Sequence, residues 1–177
     1  MQRHQCRLLF AALAMIATAP TWAADKARLY RDSRLQIEFS IPAGWERHPC
    51  RYPQCLELRP RGQRNTDQAI RVYVKTATLE QALSEHILFE QRDKAWIKHG
   101  RFNEVEASPI ANGQWKGFEA AASCGISDPD TGFHAGAGTC YTAILSNGQR
   151  AATIETDGFE STLEFAEHIK NSFRFLR

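Results

Sequence analysis

Short segments in which apolar and polar residues alternate constrain the fold of this chain more than any other feature. Alternation with a period of two is typical of a strand that is buried on one face, and it is clearest over residues 35–41 and 69–75. A short strand is predicted at residues 56–58, and further strands between turn signals are predicted at residues 102–108, 115–124, 138–145 and 151–155. Asn147-Gly148 lies between the last two, and Asn-Gly in such a position is a strong hairpin signal. The sequence therefore predicts a mainly antiparallel sheet of about six to seven strands.

Two segments carry helix signals instead. Thr78 is followed three residues later by Gln81, the pattern of a capping box, which predicts a helix that continues to about residue 98 and ends at Gly100. A second cap signature at residues 161–164 predicts a helix through about residue 173. The residues of this helix that recur at helical spacing, and so should face the sheet, are Leu163, Ala166, Ile169 and Phe173. The predicted class is α+β, with two principal helices packed on the sheet.

The first 23 residues have the layout of a cleaved secretory signal peptide. Basic Arg3 and Arg7 precede an apolar stretch that is shorter than the roughly 20 residues of a membrane-spanning helix. Thr21 and Ala23 supply small residues at positions −3 and −1, which predicts cleavage after Ala23 and a single domain over residues 24–177. Because no cysteine lies near the cleavage point, we expect no lipid acceptor and no stable membrane anchor. The mature protein is expected to be soluble and periplasmic.

Four cysteines remain once the signal is removed: Cys50, Cys55, Cys124 and Cys140. Four cysteines allow three pairings, and sequence alone does not choose among them, although proximity along the chain favours Cys50–Cys55 and Cys124–Cys140. The alternative is a zinc site of four thiolates, but zinc sites favour two closely spaced pairs, and the second pair here is far apart in sequence. Since an exported compartment is oxidising, disulfides are the favoured interpretation.

Removal of the signal also brings the formal charge near zero. The whole chain has 22 Lys and Arg against 20 Asp and Glu, and Arg3 and Arg7 leave with the signal, so that 20 basic residues face 20 acidic ones. A nucleic-acid-binding protein should carry a clear basic excess. We therefore expect no nucleic-acid partner.

Arginine and tyrosine residues cluster around the first cysteine pair. Such residues suit contact surfaces, and a short disulfide ring would pre-organise them for binding. We therefore expect residues 45–64 to form an edge that binds an acidic protein partner, with an ordinary solvated loop as the alternative. The candidate partner-binding residues are Arg47, Arg51, Tyr52, Arg59, Arg61 and Arg64.

No motif in the chain indicates catalysis, a metal or a cofactor. His134 and Cys140 could form a base and nucleophile, but no third orienting group is visible and a disulfide would consume the thiol. Residues 136–138 lack the Lys-Ser/Thr of a phosphate loop, and residues 128–132 lack the later ligands of a calcium loop. No Gly-x-Ser-x-Gly elbow is present. We expect no catalytic residue, no metal site, no cofactor and no enzymatic activity.

Four short motifs give the chain a resemblance to a known family. They are Phe39-Ser-Ile-Pro-Ala-Gly-Trp45, Thr78-Leu-Glu-Gln81, Trp115-Lys-Gly-Phe118 and Ile169-Lys-Asn-Ser-Phe-Arg-Phe175. With this pattern the chain resembles the PsbP-like fold family and its bacterial branch, which includes DcrB-type proteins and chaperone-like proteins associated with type VI secretion effectors. The resemblance implies a non-catalytic binding protein, an immunity or accessory factor for a protein partner linked to a secretion system. The alternative is a periplasmic protein that binds a small ligand or a lipid.

Overall fold

The computed structural model describes residues 26–62, 68–128, 133–158 and 162–177. The predicted signal peptide lies outside these residues. The helices are α1 (Leu79–Ser84) and α2 (Leu163–Ser172). The strands are β1 (Arg28–Asp32), β2 (Ile37–Ile41), β3 (Trp45–His48), β4 (Cys55–Pro60), β5 (Ile70–Thr76), β6 (Phe89–Arg92), β7 (Ala95–His99), β8 (Glu104–Glu106), β9 (Ser108–Ala111), β10 (Lys116–Asp128), β11 (Phe133–Ser146), β12 (Arg150–Thr156) and β13 (Arg174–Phe175).

Seven of these strands form the main sheet in the order β3-β4-β5-β12-β11-β10-β9, and every pairing in it is antiparallel. Two three-stranded sheets, β1-β2-β13 and β6-β7-β8, accompany it. The predicted hairpin joins β11 to β12, where the Asn147 side chain accepts hydrogen bonds from the backbone of Gln149 and Arg150 at 3.1 and 2.9 Å. Gly148 has a φ of +97° in this turn, a conformation that glycine adopts without steric cost. The predicted α+β class is confirmed.

One face of the main sheet is covered by α2 and the β1-β2-β13 sheet. Ala143 and Leu145 of β11 point to this layer, where Ile169 of α2 and Phe173, the C-cap of α2, are fully buried. Leu163 is partly buried at its edge, so the predicted inward face of α2 is correct. Each large side chain buried here contributes about 1.5–3 kcal/mol, and this cluster holds most of the large core residues.

The opposite face of the main sheet is covered over part of its width by α1 and the β6-β7-β8 sheet. Leu83, Phe89 and Trp96 pack there against Ile144 and Ala151 of the main sheet. Among the described residues, this second cluster includes none from β3, β4 or β5. A groove opens over that part of the sheet.

The two predicted helix caps have different outcomes. At α1 the capping box forms as predicted: Gln81 N donates to Thr78 Oγ1 at 3.2 Å, and Thr78 N donates to Gln81 Oε1 at 2.9 Å. At α2 the N-cap is Thr162, whose side chain makes no capping hydrogen bond. The signature over residues 161–164 thus locates the start of α2, and Ser161, its first residue, lies outside the described residues.

The helix predicted to reach residue 98 is wrong beyond Ser84. The chain instead forms the β6–β7 hairpin, which turns at Asp93 with a φ of +56°. Burial alternates along β7, where Trp96 and Lys98 are buried between less buried neighbours. A capping box acts on the first turn alone, whereas burial of alternate side chains against the main sheet selects a strand.

Candidate functional site

A short disulfide ring forms one side of the groove. Cys50 and Cys55 are bonded, with Cα atoms 5.6 Å apart, and the ring that they close connects β3 to β4. Val74 N donates to Gln54 O at 3.0 Å, which ties the ring to β5. Tyr52 is 57% exposed at the ring's outer side. The ring therefore holds an aromatic side chain on a covalently closed support.

The segment between α1 and β6 forms the opposite side of the groove. Ile87 is 93% exposed and Leu88 is 39% exposed. The backbone here is fixed, because His86 N donates to Leu83 O at 3.1 Å and Phe89 N donates to His86 O at 2.9 Å. Exposed apolar side chains that gather at a concave site mark interaction surfaces.

Side chains of two neighbouring strands form the floor. Tyr73 and Lys75 of β5 and Thr153 and Glu155 of β12 line it, and Tyr73 and Thr153 are register partners. The Tyr52 and Tyr73 ring centroids are 6.3 Å apart. The space has a volume of about 700 Å³, enough for a small ligand or for several side chains of a peptide. We refer to it as the ring groove.

His86 connects the side of the ring groove formed by the segment between α1 and β6 to the floor of the groove. Its Nε2 lies 2.7 Å from Glu155 Oε1, its Nδ1 accepts a hydrogen bond from Leu88 N at 3.3 Å, and its ring meets that of Phe89 edge-on at 5.1 Å. A proton on Nε2 satisfies both contacts. With both nitrogens engaged, the imidazole positions Ile87 and Leu88 instead of presenting a free base.

The remaining polar groups of the ring groove suit binding. Burial, with a further contribution from Glu155, raises the pKa of the Tyr73 hydroxyl, so this group stays protonated at neutral pH. Lys75 Nζ lies 2.9 Å from Glu85 Oε2, and because both side chains are partly exposed the pair contributes at most about 1 kcal/mol. The groove thus combines apolar rims with a floor that donates and accepts hydrogen bonds.

A network of buried ion pairs lies beside the ring groove. Glu57 is 5% exposed and is held by Arg59 and by Arg71, whose Nε donates to it at 2.9 Å. Arg71 Nη1 also donates to Asp157 at 2.6 Å. Burial raises the pKa of the Asp157 carboxyl, and Arg71 opposes that shift. These two arginines therefore neutralise carboxylates of the same chain.

Strand alternation separates two of the predicted partner-binding arginines. Glu46 is the register partner of Arg59, so the adjacent Arg47 points to the other face of the sheet. There its guanidinium lies 6.0 Å from the centroid of the Tyr30 ring. Arg59 is engaged with Glu57. The two arginines therefore lie on opposite faces of the main sheet.

The rest of the predicted set is divided as well. Arg61 Nε lies 4.0 Å from Glu46 Oε2, and Arg64 lies outside the described residues. Arg51 and Tyr52 are exposed on the ring, and Tyr52 is the member of the described set that lines the ring groove. Among the described members of the set, Arg47 therefore lies on a different face of the sheet from Arg59.

The other wall of the ring groove is missed by sequence reasoning. In a helix that reached residue 98, Ile87 would lie with the apolar residues that pack on the sheet. Because α1 ends at Ser84, Ile87 and Leu88 emerge into solvent instead. Residues 95–99 show no alternation of apolar and polar residues in the sequence, so the local pattern there does not indicate a strand; the alternation is one of burial in β7.

The second disulfide links Cys124 of β10 to Cys140 of β11, with Cα atoms 5.7 Å apart. All four cysteines of the predicted mature chain are thus bonded in the pairing that proximity favours, and none is left as a thiolate. Within the described ranges, no group of three His, Cys, Asp or Glu residues could hold a metal ion. In the same ranges, no helix has the length and apolar character needed to cross a membrane. The His134 side chain and residues 129–132 lie outside the described residues.

The two disulfides should differ in their effect on stability. Replacing Cys50 and Cys55 together by serine should lower the free energy of unfolding by about 2 kcal/mol, and the same change at Cys124 and Cys140 by about 3 kcal/mol, since the longer loop gains more entropy when opened. Urea denaturation of the two double variants measures both losses. A larger loss for the shorter loop would contradict this order.

Comparisons with known proteins support the fold. No family model and no curated protein matches the chain. A crystal structure of a protein from Bacteroides thetaiotaomicron VPI-5482 superposes with a TM-score of 0.56 at 11% identity, covering 86% of this chain and 49% of that one. The chain thus spans about half the length of that protein. The solution structure of the cyanobacterial PsbP protein CyanoP from Synechocystis sp. PCC 6803 superposes with a TM-score of 0.51 at 11% identity, covering 90% of this chain and 98% of that one. The fold is PsbP-like.

Proposed function

We propose that this chain is an exported, non-catalytic binding protein that holds a protein partner in the ring groove. The observation that carries the proposal is the exposure of Tyr52, Ile87 and Leu88, at 57%, 93% and 39%, on two facing walls of one groove. Covering an aromatic or large aliphatic side chain of this kind contributes roughly 1.5–3 kcal/mol. Aromatic anchors in the centre of a contact dominate the affinity of protein interfaces.

The position of these side chains favours a protein over a small ligand. Sites for small molecules enclose most of the ligand surface and direct apolar side chains inward, whereas Ile87 extends almost entirely into solvent. The observation that favours the alternative, a small ligand or lipid, is the groove volume of about 700 Å³. Native mass spectrometry of the purified protein distinguishes the two, since a retained small molecule would favour the alternative.

The proposed partner is an exported protein linked to a secretion system, for which this chain acts as an immunity or accessory factor. This part of the proposal is supported by the resemblance to the bacterial PsbP-like branch, which includes proteins associated with secretion effectors. The proposed location is the periplasm, after removal of residues 1–23. Two disulfides suit such an oxidising compartment.

Site-specific photocrosslinking tests the proposal in the producing cells. Benzoylphenylalanine in place of Tyr52 or Ile87 should crosslink to one and the same exported protein. Leu29 and Phe102, each 69% exposed, are matched control positions outside the ring groove and should not crosslink to it. Crosslinks of equal yield from all four positions, or none from Tyr52 and Ile87, would contradict the proposal.

A further inference from the structure

A second, basic cleft continues from the ring groove toward the chain's last strand. It has a volume of about 1070 Å³. Its cationic lining residues are Arg34, Lys75, Arg150 and Arg177. Among the described residues that line it there is no aspartate or glutamate. Lys75 forms an ion pair with Glu85, which lines the ring groove. The arginines therefore supply the excess positive charge of the basic cleft.

Backbone hydrogen bonds bring these arginines together from three parts of the chain. Arg150 donates through Nη1 to Gln36 O at 2.9 Å and through Nη2 to Leu35 O. Leu176 N donates to the same Gln36 carbonyl at 2.9 Å. Arg34 precedes Leu35 and Arg177 follows Leu176 in the sequence. All three guanidinium groups therefore belong to one end of the main sheet.

The turn that supports this convergence is held in a conformation that few residues adopt. Gln36 has a φ of +51°, in the left-handed region that is uncommon for residues other than glycine. Its carbonyl receives the two hydrogen bonds from Arg150 and Leu176. Such a conformation persists where the surroundings fix it, and it is frequent at ligand-binding sites.

Arg150 is a cation of the basic cleft whose hydrogen bonds fix its position, and among the described residues it has no carboxylate partner. Its guanidinium lies 5.6 Å from the centroid of the Phe175 ring and donates hydrogen bonds to the two carbonyls of the turn. Burial lowers the pKa of this group, as expected for a cation without a nearby counter-charge. A partly buried cation of this kind gains from an anion supplied by a ligand.

Side-chain amides add further donors to the same cleft. They belong to Gln54, Gln114, Asn147 and Gln149, whereas the amide of Gln36 donates to Ser33 O. Each amide offers two N–H groups, which are suited to carboxylate oxygens. The lining thus combines charge with directional donors, and the complementary ligand is an extended acidic one.

The basic cleft and the ring groove are continuous. Pro53, Gln54, Val74 and Lys75 line both. By strand alternation Arg150 and the floor residues of the ring groove lie on opposite faces of the main sheet. A peptide segment in the ring groove would therefore reach the basic cleft by passing around the edge of the sheet beside Gln54. The apolar rims of the groove and the cationic lining of the cleft would then contact successive parts of one segment.

We propose that the basic cleft binds an acidic stretch, rich in Asp or Glu, that adjoins the apolar part of the partner segment in the ring groove. This inference rests on the proposed function, because the acidic stretch belongs to the protein partner that is proposed to lie in the ring groove. It places the contacts to an acidic partner at Arg34 and Arg150, on side chains other than the six that the sequence indicates.

A labelled oligoglutamate peptide tests the basic cleft without knowledge of the partner. Its fluorescence anisotropy should rise with the mature protein at low ionic strength, where charge interactions are least screened, and an oligoglutamine peptide should not bind. The double variant Arg34→Glu, Gln149→Glu should weaken binding by about tenfold or more, since attraction becomes repulsion at two exposed positions. Arg150 is left intact because it holds the turn.

The matched control is the double variant Arg28→Glu, Gln91→Glu, which changes the net charge equally at exposed positions outside the cleft. It should weaken binding by no more than about twofold. Equal weakening in both variants, or no binding, would overturn the inference. If inorganic phosphate displaced the oligoglutamate peptide when the concentrations of phosphate and of peptide carboxylate were equal, the site would be assigned to free oxyanions. That result would overturn the inference as well.

The outcomes also separate this inference from the proposed function. Ile87→Asp should leave oligoglutamate binding unchanged, because Ile87 does not line the basic cleft. If the oligoglutamate peptide fails to bind while Tyr52 and Ile87 still crosslink to one protein, the basic cleft is wrongly assigned and the proposed function stands. If it binds as expected without such crosslinks, the proposed function is wrong.

Discussion

Replacing Lys98 by methionine is expected to remove a pH-dependent loss of stability that amounts to roughly 3 kcal/mol below pH 8. Lys98 is 1% exposed. Its ammonium donates to Cys140 O at 2.6 Å and to Thr142 Oγ1 at 2.9 Å, without an ion-pair partner in the described residues. Burial lowers its pKa from 10.5 to about 8, with a small opposing effect of Glu155. Methionine fills a similar volume without the cost of a buried charge.

The pH dependence of stability identifies the same group. Folded Lys98 loses its proton near pH 8, whereas in the unfolded chain it keeps the proton until its ordinary pKa of 10.5. Between these values the unfolded state binds more protons, so the free energy of unfolding rises with pH. Lys98 therefore destabilises the fold fully below pH 8, and that cost is relieved as the pH approaches 10.5.

Urea denaturation at several pH values from 7 to 10 measures both effects as a difference between variants. Lys98→Met should lose the rise in stability across this range. Lys94→Met is the control, because Lys94 is exposed in the β6–β7 turn and its removal should change stability by less than about 0.5 kcal/mol. The same pH slope in Lys98→Met and wild-type protein would show that the ammonium is not desolvated.

Replacing Trp115 by alanine is expected to lower the free energy of unfolding by about 3–5 kcal/mol. Trp115 is 6% exposed in the core cluster between the main sheet and α2, and its Nε1 donates to Phe173 O at 3.0 Å. Phe173 in turn stacks on Phe39, with ring centroids 6.2 Å apart. The indole thus joins the end of α2 to the main sheet through both packing and a hydrogen bond.

Trp115→Phe separates these two contributions. Phenylalanine keeps most of the packing and removes the donor, so the loss should be about 1–2 kcal/mol, including the unpaired Phe173 carbonyl. Denaturation followed by far-UV circular dichroism measures both variants. Equal losses for Trp115→Ala and Trp115→Phe would show that the hydrogen bond, and not the packing, holds α2.

The parts of the fold that the sequence predicts well are those that local rules determine. A period of two in residues 69–75 corresponds to β5, because one face of this strand is buried in the main core. Asn147-Gly148 specifies the hairpin by its backbone preference alone. The capping box at Thr78 forms because its two hydrogen bonds involve residues of the same turn.

The parts that it misses depend on distant contacts. The β6–β7 hairpin forms because Trp96 and Phe89 pack on the main sheet against Ile144. The sequence around residue 84, where α1 ends, does not indicate that contact. β1 has mostly exposed side chains, so it shows little hydrophobic alternation and is defined by its pairing with β2. Both are cases in which tertiary packing overrides local preference.

The same distinction applies to the candidate site. Proximity in sequence places Cys50 with Cys55 and so locates the ring with Tyr52. The opposite wall, Ile87 and Leu88, belongs to a segment that is distant in sequence and that was predicted to be helical. The arginines near the ring appear in the sequence as one basic cluster, but strand alternation and the buried carboxylate of Glu57 divide them.

The most direct test of the ring groove is the affinity of the crosslinked partner for two matched variants. Ile87→Asp and Phe102→Asp each place a carboxylate at a highly exposed apolar position, so both should fold with near wild-type stability. We predict that Ile87→Asp weakens partner binding by about tenfold or more, as measured by calorimetry, whereas Phe102→Asp changes it by less than about twofold. Equal affinities for Ile87→Asp and the wild-type protein would contradict the assignment of the ring groove as the binding site.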